Sequence, residues 1–127
     1  MNGWLLDTHA FIWFTEDSPR LSDQVRSLLE SRDQRIIVSA ASLWEMAIKS
    51  ATGKLRLPGD PIEMIKSQGM STLEVTCEHG WESRNLRKIP DHKDPFDRML
   101  AAQAKLEGLP ILSSDEVFDT YGVERVW

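Results

Sequence analysis

The feature that most restricts how this chain can fold is an alternation of short apolar runs with longer stretches of helical spacing. Trp4-Leu5-Leu6 is a short apolar run ending at Asp7 and reads as a buried strand. Arg35-Ile36-Ile37-Val38-Ser39, rich in β-branched residues, is a second strand, and Ser71 to Thr76 is a third. Ile111-Leu112-Ser113-Ser114-Asp115 is a fourth that runs into a loop, and Val123 to Val126 is a fifth. Between them, Leu21 to Ser31 sets Val25, Leu28 and Leu29 at helical spacing behind a polar start at Ser22. Ser42 to Ala51 offers Leu43, Met46, Ala47 and Ile48 to a core, and Glu78 to Leu86 reads as a further helix. Pro58-Gly59-Asp60-Pro61 is a turn, with Pro61 placed to open the next helix at its first position. The clearest helix opens at Asp94-Pro95-Phe96-Asp97, is carried by Met99, Leu100, Ala101, Ala102, Ala104 and Leu106, and stops at Gly108 and Pro110.

Strands alternating with helices predict an α/β domain with a mainly parallel sheet. In such sheets, sites form beyond the carboxyl ends of the strands. Asp7 follows the first strand and Asp115 the fourth, so parallel strands would bring both to one edge. Glu45 lies early in the helix after the second strand, where helix starts face this same edge. Asp97 lies in the first turn of the helix before the fourth, a different connection, and its placement at the edge rests partly on the resemblance given below.

Four carboxylates at one edge repel one another. At a separation near 5 Å and an effective dielectric near 20, each pair costs roughly 3 kcal/mol. Such a cluster persists when protons or cations neutralise it, and hard oxygen ligands select Mg²⁺ or Mn²⁺ over zinc or copper. Two ions roughly 4 Å apart can activate water and stabilise the leaving oxygen in phosphodiester hydrolysis. Each acid also has a plainer reading. Asp7 suits a turn after a strand, Glu45 a solvated helix face, and Asp115 the cap of a short helix over Glu116 to Asp119. Asp94 is well explained as an N-cap with Pro95 behind it, and Asp97 as an acid favoured by the helix dipole.

Bulk properties narrow the choices. The net charge of −5 over 127 residues argues against nucleic-acid binding by bulk charge. It leaves room for a substrate bridged by bound cations, which invert the local field. The single cysteine, Cys77, excludes a disulfide framework or a thiolate metal site within one chain and reads as a small buried hydrophobe. No segment reaches the length of a membrane span, the N-terminus does not read as a secretory signal, and a cytoplasmic location is expected. Neither a repeat nor a linker divides the chain.

Four segments carry a resemblance. Leu5-Leu6-Asp7-Thr8-His9-Ala10 looks like the opening of a PIN-domain nuclease, and Val38 to Lys49, around Glu45, looks like that family's second acidic segment. His92-Lys93-Asp94-Pro95-Phe96-Asp97-Arg98 with Ala101-Ala102-Gln103-Ala104 is similar to the third, and Leu112-Ser113-Ser114-Asp115 to the fourth. They occur in the right order over almost the whole chain, and the likeness is strongest to the VapC-like toxins of bacterial type II toxin–antitoxin pairs. The resemblance implies a three-layer α/β/α sandwich, one PIN-like domain over residues 1–127, and Mg²⁺- or Mn²⁺-dependent cleavage of RNA. It also implies a homodimer and a small cognate antitoxin. By position, Asp7, Asp97 and Asp115 match the principal metal-site acids. Glu45 matches the remaining acid, a metal ligand or an orienter of the attacking water. Asp94 is an additional acid behind the site, and Ser113 stands where a hydroxyl hydrogen-bonds a carboxylate or a substrate phosphate.

Arg84, Arg87, Lys88, His92, Lys93 and Arg98 form a basic stretch around the third motif. It reads either as a phosphate-contacting rim or as a solvated helix end, with Arg98 assigned to substrate. His9 and His92 receive no catalytic role, because two metals can generate hydroxide without a histidine. The five tryptophans are expected in the core or at an interface. Two other readings remain open. A phosphoacceptor receiver domain shares this length and architecture, but would want paired acids after the first strand and a lysine after the fifth. A PIN-like protein that binds RNA or a partner without cutting is the other.

Overall fold

The computed structural model describes residues 2–127. The chain runs β1 (Trp4–Leu6), α1 (Thr8–Thr15), α2 (Asp23–Glu30), β2 (Ile36–Ser39), α3 (Ala40–Ala51), α4 (Pro61–Ser67), β3 (Ser71–Leu73) and α5 (Cys77–Glu82). A 3-10 turn (Ser83–Asn85), α6 (Pro95–Glu107), β4 (Ile111–Leu112), α7 (Val117–Thr120) and β5 (Arg125–Val126) follow. The strands form one sheet in the order β3-β2-β1-β4-β5, and every pairing is parallel. In a receiver-type sheet β1 lies between β2 and β3; here it lies between β2 and β4.

Successive strand residues point to opposite faces. Leu5, Ile37 and Ile111 therefore pack on one side with Leu100, Ala104, Phe118 and Tyr121. Leu6, Ile36, Val38 and Leu112 pack on the other with Phe11, Val25, Met46 and Ile65. Helices cover both faces, giving the three-layer α/β/α sandwich. Double burial is why these strands read as continuous apolar runs rather than as alternating ones.

The helix boundaries follow local chemistry. Ser22 caps α2, Asp60 followed by Pro61 caps α4, and Asp94 followed by Pro95 caps α6. Gly108 ends α6 at φ 66°, a left-handed conformation that glycine adopts without a Cβ penalty. At the other end of the sheet, a Cβ on Gly3 would stand 2.8 Å from the carbonyl oxygen of Arg35, so only glycine lets β1 close onto β2 here.

Several sequence expectations shift. α3 begins at Ala40 rather than Ser42, because Ser39 Oγ accepts the Ala41 N–H at 3.0 Å and the strand passes straight into the helix. β3 stops at Leu73 rather than Thr76, since Thr76 is drawn off to cap α5 in a capping box with His79. The helix expected over Glu78 to Leu86 divides into α5 and the 3-10 turn. α1 was not expected at all. Its sequence, THAFIWFT, is apolar nearly all round and shows no period, and its cap is Asp7 itself. Cys77, expected to be buried, is exposed on the first residue of α5. Trp44 and Trp81 are 64% and 69% exposed, so neither belongs to the core.

Candidate acidic metal site

Two strand ends and two helix starts build the site. β1 and β4 are neighbours, and the Asp7 N–H donates to the carbonyl of Leu112 at 3.2 Å, which sets the two carboxyl ends side by side. α6 returns to β4 through the short connection at Gly108, so it runs against the strand and its N-terminal turn lies at the carboxyl edge. α3 leaves β2 at that same edge and carries Glu45 in its second turn.

Asp7 is buried. Its Oδ1 accepts the Ala10 N–H at 2.7 Å, and its carboxylate also takes the hydroxyl of Ser113. Burial pushes its pKa above the ordinary carboxylate value, and the nearby Asp115 adds to the rise. The bonds from Ser113 and Ala10, and the His9 side chain, work in the opposite direction. Ser113 is fully buried, and its Oγ accepts the Asp115 N–H at 3.0 Å. One hydroxyl thereby links the acid after β1 to the backbone of the acid after β4. Asp115 is exposed, and its Oδ1 accepts the Val117 N–H at 3.0 Å, so it also orders the start of α7.

Asp97 carries the largest electrostatic load. Its pKa is pushed up to about 7, first by burial and then by the charges of Asp94, Asp115, Asp7 and Glu45. The other four acids thus lie within electrostatic reach of this one carboxylate. Asp94 Oδ1 accepts the N–H groups of Phe96 at 2.9 Å and Asp97 at 3.2 Å, the bonding of an N-cap. Glu45 is buried rather than on a solvated face, and its Oε2 pairs with Lys49 Nζ at 2.7 Å. A buried carboxylate with a single cation beside it retains acceptor capacity toward the site.

The donor set consists of hard carboxylate oxygens whose mutual repulsion a divalent cation would relieve, and these residues fit such an ion. Donor atoms of Asp97 and Asp115 lie within 4.8 Å of each other, and a third donor, from His92, lies within the same distance of both. On sequence grounds His92 has no catalytic role and belongs only to the basic stretch. Its only sequence signal is its place two residues ahead of Asp94, and its partner Tyr121 is remote in the chain.

The basic stretch divides. Arg98 Nη2 donates to the Ser83 carbonyl at 2.9 Å and Nη1 to the Arg87 carbonyl at 3.3 Å, while the guanidinium lies over the Tyr121 ring. These bonds tie the loop before α6 to the helix. Arg84 lies over the Trp81 ring at 4.4 Å. Lys88, Lys93, His92 and Arg98 line a concavity of about 510 Å³ with Ile89 and Pro90.

Residues 4–124 match the sequence model of the PIN domain. No curated protein matches the chain. Among solved structures, a chain of the DNA-bound VapBC from Salmonella typhimurium superposes with a TM-score of 0.73 at 17% identity, covering 99% of this chain and 98% of that one. A chain of VapBC2 from Rickettsia felis, bound to a DNA fragment from its promoter, gives 0.68 at 13% identity, with 98% of each covered. A chain of FitAcB from Neisseria gonorrhoeae gives 0.62 at 18% identity, covering 97% and 96%. At these identities the likeness is one of fold.

Proposed function

The chain belongs to the PIN-domain family, and on that premise we propose that it is a metal-dependent endoribonuclease, the toxin of a type II toxin–antitoxin pair. The observation that carries this reading is the convergence of Asp7, Glu45, Asp94 and Asp115 on Asp97, raised to about 7. Carboxylates gathered so closely that one is strongly perturbed are a mark of functional sites.

In this reading Asp7, Asp97 and Asp115 hold Mg²⁺ or Mn²⁺. Such an ion, when bound, makes water acidic enough to attack at neutral pH and neutralises charge developing on the phosphate. Ser113 orients Asp7, leaving its remaining lone pairs for the site. Asp94 holds the first turn of α6, and with it Asp97, in place. Glu45 would accept a hydrogen bond from the attacking water and orient it. Lys88 and Lys93, which line the concavity with His92, contact RNA phosphates in place of the expected Arg98, whose guanidinium is bonded to two backbone carbonyls.

The partners in this reading are an RNA substrate, a small cognate antitoxin and a second copy of the chain. The neighbours named above, VapBC and FitAcB complexes, support the antitoxin by fold. The apolar surface at Trp44, Phe96 and Val75 supports association, since exposed patches of this kind mark interaction sites. The protein acts in the cytoplasm, where its substrate is. No helix among the described residues is long and apolar enough to cross a membrane.

The test is cleavage of mixed cellular RNA by purified protein, with new ends mapped by sequencing. Cleavage is expected with Mg²⁺ or Mn²⁺ and not with EDTA or in Asp7→Asn. Cleavage unchanged by EDTA would overturn the metal reading, and RNA bound but intact would make the chain a binding member of the family.

A further inference from the structure

We propose that His92 is a nitrogen ligand of the divalent ion held at Asp97 and Asp115, with Tyr121 as the residue that orients its imidazole. This rests on the reading of the acids as a metal site. It adds a donor of a different chemical kind and, with it, a metal preference.

One donor atom from each of His92, Asp97 and Asp115 falls within 4.8 Å of the other two, so a single ion can be shared among them. His92 is half-buried and cannot swing freely. Its N–H donates to the carbonyl of Ile89 at 3.1 Å, forming a bridge that pins the backbone. Its Nδ1 stands 2.9 Å from the hydroxyl of Tyr121, and the rings meet edge to face. Tyr121 is itself immobile: it is 2% exposed, its ring lies under Arg98, and its carbonyl accepts from Lys105 Nζ. That leaves Nε2 aimed into the acids, 3.2 Å from Asp97 Oδ2.

The phenol makes this arrangement useful in two states. A tyrosine hydroxyl both donates and accepts. Without an ion, Nε2–H donates to Asp97 and Nδ1 accepts the Tyr121 proton. With an ion, the Nε2 proton would be released to solvent and Nδ1 would take one from solvent, so that Nδ1–H would donate to the Tyr121 oxygen and the Nε2 lone pair would be free for the metal. A ligating imidazole is neutral and has its other nitrogen held by a fixed partner. Tyr121 supplies that partner in both tautomers, so no side chain has to move.

A nitrogen donor changes selectivity. Mg²⁺ prefers oxygen and sheds water reluctantly, whereas Mn²⁺ tolerates imidazole. The site should therefore favour Mn²⁺ through His92, while Mg²⁺ depends on the acids alone.

Pulsed electron paramagnetic resonance on the Mn²⁺-loaded full chain reads this directly. A ¹⁴N coupling is expected in the wild type and not in His92→Gln. Calorimetry should show Mn²⁺ affinity falling about tenfold in His92→Gln, with Mg²⁺ affinity changing much less, and Tyr121→Phe weakening Mn²⁺ while keeping the coupling. Mn²⁺ bound without ¹⁴N coupling in the wild type, or equal losses for both ions in His92→Gln, would overturn the proposal and leave the acidic site standing. If neither ion bound the wild type, the acidic-site reading would fall as well. The wild-type spectrum decides even if a variant does not fold.

Discussion

The carboxylate of Asp7 takes the N–H of Ala10 at 2.7 Å, so the first acid of the cluster is also the cap of α1. Charge and cap can be separated by substitution. Asparagine caps a helix about as well as aspartate, whereas alanine loses about 1 kcal/mol. Asp7→Asn is therefore expected to melt near the wild-type temperature and to cleave RNA roughly 100-fold more slowly or worse. Asp7→Ala should lose both activity and stability. Thermal unfolding alongside a cleavage assay checks this, and full activity in Asp7→Asn would remove Asp7 from the site.

Asp97 makes the metal-free protein sensitive to pH in a particular direction. Its pKa rises from 3.8 to about 7 on folding. Between those values the unfolded chain holds fewer protons at this group than the folded chain, so its contribution to stability falls as pH rises through the window. Asp97→Asn removes that loss. The melting temperature of Asp97→Asn relative to wild type should climb from about pH 4 to about pH 7 and then level off, in EDTA. Millimolar Mg²⁺ or Mn²⁺ should shrink the difference, because only the wild type retains the full site.

Lys49 is the cation beside buried Glu45. Removing it leaves a carboxylate that has lost water without gaining a partner, which is destabilising. A divalent ion at the site can take over part of that neutralisation. Lys49→Met is expected to lower the melting temperature in EDTA, and added Mn²⁺ should recover more of it than the same metal gives the wild type. An equal metal-induced shift in both proteins would place Glu45 outside the reach of the ion.

Arg98 and Lys93 should separate in kinetic assays. Arg98 spans two carbonyls with its fork, a geometry lysine does not reproduce. Arg98→Lys is expected to cost about 1–2 kcal/mol of stability. Lys93 is exposed beside the same concavity. Lys93→Ala should raise KM for RNA and leave the melting temperature unchanged. The reverse pattern would make Arg98 the phosphate contact and Lys93 a structural residue.

Much of the fold is legible in individual residues. Ser22, Asp60 with Pro61, and Asp94 with Pro95 mark helix starts because their side chains can satisfy orphan N–H groups, and they do so here. Gly108 marks a stop for the complementary reason. The doubly buried strands announce themselves by unbroken apolar runs. What stays hidden depends on tertiary surroundings. α1 has no polar face to impose a period, so its helical state follows from packing against Leu6 and Val38. Trp44 carries no local sign that its indole faces outward. The placement of Asp7 and Asp115 at one edge follows from strand direction, which alternation predicts, whereas that of Asp97 rests partly on the family resemblance. The approach of His92 to Asp97 requires Tyr121, contributed from beyond β4, and no spacing rule within the third motif reveals it.

The pairing of β1 with β4 also has a temporal meaning. β1 is made long before β4, yet the two are neighbours in the sheet. Asp7 has no Leu112 carbonyl to anchor it, and no Ser113 to turn it, until β4 has been synthesised. A nascent chain that lacks β4 thus holds Asp7 without its partners at the carboxyl edge. The cluster can form only once β4 has joined the sheet.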